Sequence, residues 1–372
     1  MIPIYQPYLP KKALKHAHNA LDSTWISNFG EYKELSKNRL NTILGCQNNI
    51  LTNNGTTSTH LIYKALKIKN PNIKNLIVPS NVYVAAWNAM LFDGDGINLI
   101  PVKTNLKTWN MDIKDLLSEA KERSPEDTAI LIVHNLGGIM NVPALKRQLP
   151  EYQFIEDNCE GFLGKYENEF AGTACLASSI SFYGNKTITC GEGGALIIND
   201  NNQTKILEKT HSQGQSEVRY IHDILGYNYR MTNVQAAILY GQLEIHEKIL
   251  NKKKKIFNRY KKNLKVNKNI AFQYKEKGCE NALWMFPFRL VGNQNYETAK
   301  QYFLSKGIET RNMFYPMSRH EHLKYYANIE KEVEAEQLLK EIIILPSSPT
   351  LKNEEIDYIS NEVINYCKSV GL

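Results

Sequence analysis

The sequence predicts an α/β chain in which a mostly parallel sheet flanked by helices precedes a smaller α+β C-terminal domain. Three observations carry this expectation. Short apolar, β-branched runs recur through the first half, the stretches between them have helical spacing, and the texture changes near Thr232. Continuous apolar runs bounded by turn residues read as strands covered on both faces, and strands alternating with helices imply parallel pairing. At 372 residues the chain exceeds the size at which one core usually splits, so two domains are expected.

The strand candidates are, in order, "NLIVPS" (75–80), "GINLIPV" (96–102), "AILIVHNL" (129–136), "YQFIEDN" (152–158) and "SISFYG" (179–184). Helical spacing appears in "TTSTHLIYKALKI" after Gly55 and in "VPALKRQL" after Asn141. From Thr232, a plausible N-cap, apolar residues at Val234, Ala237, Ile238, Ile245 and Ile249 predict one long amphipathic helix into the lysine-rich stretch 248–265. That helix joins a large domain, 1–245, to a small one, 246–372, against which the first twenty or so residues are expected to pack. In the small domain "ALWMFPFRLV" is a strand and "NYETAKQYFLSKG" a helix that ends at Gly307.

Composition excludes several classes. No run of eighteen apolar residues occurs, and the N-terminus lacks the blocks of a signal peptide, so a soluble, cytoplasmic protein without membrane contact is expected. Six scattered cysteines without a CxxC pair indicate neither a zinc cage nor a disulfide framework. "HEKIL" and "HEHLK" lack the second histidine of HExxH, and no metal site is expected. The net charge of +7 comes mostly from C-terminal lysines, which read as a solvated helix face rather than a nucleic-acid surface.

One lysine stands apart. Lys186 follows the strand ending in "SFYG" and precedes the glycines of "GEGG", which permit close backbone approach to a ligand and positive φ. GxxxxGK[ST] fails at Ile180 and Asn185, and GxGxxG fails at Leu196. A lysine also forms a Schiff base with an aldehyde cofactor, of which pyridoxal phosphate is the usual one. That cofactor needs a carboxylate on its ring nitrogen, donors for its phosphate and a flat group against the ring. Asp157, at a strand end, supplies the first; Gly55 and Thr56, opening a helix in "NNGTTST", and the Ser181 hydroxyl supply the second; Tyr83 supplies the third.

With these pieces in order the chain resembles the pyridoxal-phosphate-dependent sugar aminotransferases of the DegT/StrS type, of the aspartate aminotransferase fold (fold type I). The motifs include "NNGTTSTHL", "VPSNVYVAAWNA", "FIEDNCEGFLGKY", "SFYGNKTITCGEGGALIIND" and "GYNYRMTNVQAAI". The resemblance, greatest toward perosamine synthases, implies a seven-stranded sheet and transfer of an amino group from L-glutamate to carbon 4 of a nucleotide-linked 4-keto-6-deoxy sugar. GDP, UDP and dTDP all remain open, as do amination of a 3-keto sugar and a non-catalytic binding protein of the same fold. It further implies that Lys186 is the Schiff-base lysine, Asp157 the ring-nitrogen partner and Glu160 a partner of the ring hydroxyl. Tyr83 would stack, Gly55, Thr56 and Ser181 would hold phosphate, and Asn228 would reach across from a partner subunit of a homodimer. Dehydratase members of the family carry histidine where this chain has Lys186. The chain departs from the family pattern at Lys103, Leu136, Asn141 and Asn312.

Overall fold

A computed structural model describes residues 1–372. Thirteen strands form three sheets: β1 (Asn48–Thr52), β2 (Asn75–Pro79), β3 (Asn98–Val102), β4 (Thr128–Val133), β5 (Gln153–Asp157), β6 (Lys165–Tyr166), β7 (Glu169–Phe170), β8 (Ala177–Ser181), β9 (Gly194–Ile198), β10 (Ile270–Ala271), β11 (Cys279–Glu280), β12 (Phe286–Leu290) and β13 (Ile342–Leu345). The helices are α1 (Lys11–Asp22), α2 (Glu31–Leu44), α3 (Gly55–Lys69), α4 (Ala85–Leu91), α5 (Ile113–Lys121), α6 (Val142–Gln148), α7 (Asn201–His211), α8 (Asn233–Leu243), α9 (His246–Leu264), α10 (Tyr296–Ser305), α11 (Val333–Glu341) and α12 (Asn353–Ser369).

The main sheet has seven strands in the order β1-β9-β8-β5-β4-β2-β3. β9 alone runs against its neighbours, and the pairs β8–β5, β5–β4, β4–β2 and β2–β3 are parallel. Both faces are covered, which is why the predicted strands are nearly unbroken apolar runs. Alternation along β5 sends Ile155 into the core under α3 and α4, with Leu61 and Trp87, and Phe154 into the opposite core with Met140 and Tyr166. Each such fully buried aliphatic side chain contributes about 1.5–3 kcal/mol. All six cysteines are free thiols, and no helix is long and apolar enough to cross a membrane.

The long helix expected from Thr232 is two helices. Thr232 does cap α8, its hydroxyl accepting from the Gln235 N–H at 3.2 Å while the Gln235 amide oxygen accepts the Thr232 N–H at 2.9 Å. The helix then breaks at Ile245, whose φ of −121° and ψ of 19° leave the helical region. The reason lies in burial. α8 is buried on most sides, between α1 and the sheet core, which Ile249 at the start of α9 also joins, whereas the rest of α9 offers one apolar stripe, Ile256, Phe257, Tyr260 and Leu264, to the small domain. No single straight axis serves both, and Glu244, held by Lys12 at 2.9 Å and His16 at 2.8 Å, marks the joint.

The small domain is the antiparallel sheet β10-β12-β13 packed on α9, α10 and α12. The N-terminal arm divides. Ile2 bridges Ile308 and the Ile4 N–H donates to Glu309 at 2.9 Å, on the small domain, but α1 lies against α8, where a side chain on Gly241 would meet the Ala13 backbone at 2.4 Å. Two segments from beyond residue 245 also return to the large domain. β11 pairs with β6 and Ala282 N–H donates to Gly137 O at 2.8 Å; Met317 and Leu323 enter the core beneath α4.

Candidate active site

The carboxyl ends of β5 and β8 and the N-terminus of α3 converge on one cavity of about 540 Å³. Ligand sites of open α/β sheets form outside such strand ends. Lys186, Asp157, Glu160, Gly55, Thr56, Ser181 and Tyr83 all line it. They come from four separate stretches of chain. Asn228 is not among them: it is exposed, and its Oδ1 accepts from Arg230 Nε at 3.1 Å.

Lys186 stands in the connection between β8 and β9. Its N–H donates to Tyr183 O at 2.8 Å, and the Phe182 N–H to Gly193 O and Cys190 N–H to Phe182 O at 2.8 and 3.0 Å close the connection on itself. The glycines after it serve the protein rather than a ligand. Gly191 has φ +89°, but a Cβ on Gly194 would meet Asn54 O and Ser58 Oγ at 2.5 Å, and one on Gly193 would meet Cys190 Sγ at 2.4 Å. Of that group only Glu192 reaches the cavity. The glycines bring β9 close beneath α3, which seats the first turn of that helix at the cavity floor.

Asp157 is buried at the end of β5, and its Oδ1 accepts from Cys159 N–H at 3.0 Å and Ser179 Oγ at 3.4 Å. Thr59 of α3 in turn donates to Ser179 at 2.9 Å. On the opposite face of the strand the neighbouring Glu156 is sealed in the core and accepts from His134 Nε2 at 2.7 Å. Because Met140 N–H donates to His134 Nδ1 at 3.2 Å, the proton must sit on Nε2. Hydrogen bonds above and below therefore fix the end of β5. Glu160 is also buried, with the Leu136 N–H as a donor at 2.8 Å. Burial pushes its carboxyl up to about 7, against the opposing pull of the Lys186 charge and the Leu136 N–H.

The start of α3 is built for close approach. Asn54 caps it, accepting from Thr57 N–H at 3.0 Å, and a Cβ on Gly55 would sit 2.6 Å from Ser181 Cβ and 2.8 Å from its Oγ. A helix N-terminus beside a hydroxyl favours an anion through its free N–H groups and its dipole. The Asn185 Oδ1, buried in the same cavity, has no partner of its own. An amine, two carboxyls, an anion-binding helix end and a buried polar atom without a partner fit an aldehyde cofactor that carries a phosphate.

Sequence reasoning did not single out several cavity residues. Trp284 places its ring 4.3 Å beneath Lys186 Nζ, and its indole N–H donates to Asn185 O at 3.0 Å. Arg311, Phe314, Asn185, Cys159 and Glu192 also line the wall. Phe314 meets the Tyr83 ring edge-on at 6.0 Å. The Cys159 thiol is pushed upward by burial and then by Asp157, so it is no thiolate nucleophile. A signal for Trp284 did exist: a tryptophan in an apolar run needs a partner for its N–H.

Known proteins resemble this chain along nearly its whole length. The model of the DegT/DnrJ/EryC1/StrS aminotransferase family matches residues 7–364. A GDP-perosamine synthase of Escherichia coli O157:H7 is 34% identical over 367 residues, 97% of each chain. Another, of Vibrio cholerae, is 29% identical over 377 residues, 98% of this chain and 99% of its own. Among solved structures, Helicobacter pylori PseC, an aminotransferase involved in the biosynthesis of pseudoaminic acid, matches with a TM-score of 0.90 at 20% identity, covering 99% of both chains. A GDP-4-keto-6-deoxymannose-3-dehydratase with bound GDP-perosamine matches with a TM-score of 0.87 at 21% identity, covering 98% of this chain and 100% of that one. The structural likenesses establish the fold. The family match and the 34% identical relative establish more: the chain belongs to the DegT/DnrJ/EryC1/StrS aminotransferase family, a family of pyridoxal-phosphate-dependent sugar aminotransferases.

Proposed function

We propose that the protein transfers an amino group from L-glutamate to carbon 4 of a nucleotide-linked 4-keto-6-deoxyhexose, with GDP as the favoured nucleotide. The convergence of Lys186, Asp157 and Glu160 with the α3 N-terminus on one cavity carries this reading. The full-length relatives that are GDP-perosamine synthases support the sugar and the nucleotide.

Pyridoxal phosphate, when bound, supplies an electron sink that takes up an amino group from one substrate and gives it to the next. Gly55, Thr56 and Ser181 would hold its phosphate, Tyr83 would cover its ring, and Lys186 would bond its aldehyde carbon. Asp157, held by Ser179 and the Cys159 N–H, would face the ring nitrogen and favour its protonated form. Glu160, with a carboxyl that titrates at about 7, shares a proton with the ring hydroxyl. With the cofactor bound, the Lys186 Nζ amine would be the base that takes a proton from the donor's α carbon and holds it. For the sugar it would deliver a proton instead of taking one. The neighbouring Trp284 ring excludes water from one side of that amine.

The same reading makes the site a property of a homodimer, with Asn228 entering the partner subunit's cavity. Its exposed position outside its own cavity supports this, as do the exposed apolar residues Trp25, Phe29 and Leu225, 60%, 65% and 87% accessible. Lys186→Ala tests the chemistry. The variant should still bind pyridoxal phosphate, lose the visible band of the lysine-bound form and form no amino sugar from L-glutamate and the GDP-linked keto sugar. Turnover at the wild-type rate would remove the assignment, and faster turnover of a UDP- or dTDP-linked substrate by the wild type would replace the nucleotide.

A further inference from the structure

α9 carries a row of solvated lysines and one that is not. Lys253 has no exposed surface, while Lys248, Lys252, Lys254 and Lys255 beside it are exposed. Its ammonium meets no carboxylate. Nζ donates to the carbonyls of Trp284 and Ser347, the latter at 2.5 Å, with Ser347 Oγ at 3.4 Å. The rings of Tyr5 and Phe257 close over it, 5.1 and 5.4 Å from Nζ. Burial alone pushes its pKa well down. An apolar side chain would fill this space without that penalty, so an amine here serves its acceptors rather than the core.

Those acceptors lead to the reactive lysine by three routes. Trp284, whose carbonyl Lys253 holds, donates its indole N–H to Asn185 O at 3.0 Å and presents its ring to Lys186 Nζ at 4.3 Å. The preceding carbonyl, of Leu283, accepts from Thr187 Oγ1 at 2.7 Å. Tyr5 donates its hydroxyl to Lys186 O at 3.1 Å. Asn185, Lys186 and Thr187 are thus each tied to a segment that touches Lys253. We propose that Lys253 is a positioning residue for amino transfer: it ties the 282–286 segment and the N-terminal arm against the 183–188 connection and so sets where the Lys186 amine stands. The inference rests on the aminotransferase reading for its catalytic consequence, but not for the tie itself.

The test is hydrogen exchange read by mass spectrometry on the cofactor-free full chain carrying Lys253→Met, beside kinetics of the loaded enzyme. Positioning predicts amide exchange about tenfold faster or more in 183–188 and 282–286, with wild-type protection in β4 and β5. It also predicts kcat lower by about ten- to a hundredfold with KM changed by less than about threefold. Acceleration spread evenly over the strands would mark a residue that only supports the fold, and unchanged exchange around Lys186 would equally overturn the proposal. If Lys253→Met does not fold, Trp284→Phe keeps an aromatic face and removes the N–H to Asn185. Faster exchange confined to 183–188 then supports the tie, and none overturns it. Should the wild type prove to transfer no amino group, the exchange result still stands or falls alone.

Discussion

At Glu160 a carboxyl sits out of reach of bulk water, with the Leu136 N–H and the Lys186 charge as the influences favouring its ionised form, and its protonation is therefore linked to folding. Its folded value of about 7 lies above the ordinary 4.5, so the folded chain binds this proton more tightly than the unfolded one. The associated stability is complete below pH 4.5 and is lost as pH rises through 7, a change on the order of 3 kcal/mol in the unfolding free energy. Denaturant titrations between pH 5 and 8 should show that decline in the wild type and a flatter profile in Glu160→Gln; equal slopes would locate the linkage elsewhere. Leu136 makes the same neighbourhood unusual in its backbone. It holds φ at +52° so that its N–H can face Glu160, a conformation that costs a non-glycine residue about 1–3 kcal/mol and is sustained by packing against Trp109 and Trp284.

The parallel strands were legible because burial on both faces leaves apolar runs with no polar interruption; Asp157 and Gly55 were legible because one closes a strand and the other opens a helix, and Lys186 because it stands between two apolar runs just ahead of glycines. β1, "NNILT" between polar neighbours, carried no comparable signal. The break between α8 and α9 was hidden for a related reason: no glycine or proline marks it, only a change from a helix buried on most sides to one buried along a stripe. Trp284 and Arg311 come from segments whose approach to the cavity is decided by distant pairing, of β11 with β6 and of Arg311 with Ile344, which no local spacing records. Two element-scale outcomes follow. Thr232→Ala removes the α8 cap and should lower the unfolding free energy by about 1 kcal/mol. Gly194→Ala drives a methyl to within 2.5 Å of the Asn54 carbonyl, and should cost about 1–3 kcal/mol and weaken pyridoxal phosphate binding, since the first turn of α3 has to shift. Denaturant midpoints separate the two, because only the second should be accompanied by loss of cofactor.

For the whole molecule, the shared-site proposal has a consequence that single variants cannot show. Lys186→Ala and Asn228→Asp, each impaired as a homodimer, should complement when refolded together, because one of the two cavities in a mixed dimer receives both native residues. Sedimentation should give about twice 42.6 kDa, and mixtures that stay inactive while mixed dimers demonstrably form would return Asn228 to its own subunit. The strand order has a further consequence, for synthesis. β1, at residues 48–52, has β9, at residues 194–198, as its only neighbour in the sheet. At the usual pace of a ribosome the earlier strand waits on the order of ten to thirty seconds for its partner to be made. The helix that follows it cannot reach its seat over β9 before then. A nascent chain of this protein therefore emerges with β1 unpaired and the first turn of α3 without its seat, for an interval set by topology rather than by stability.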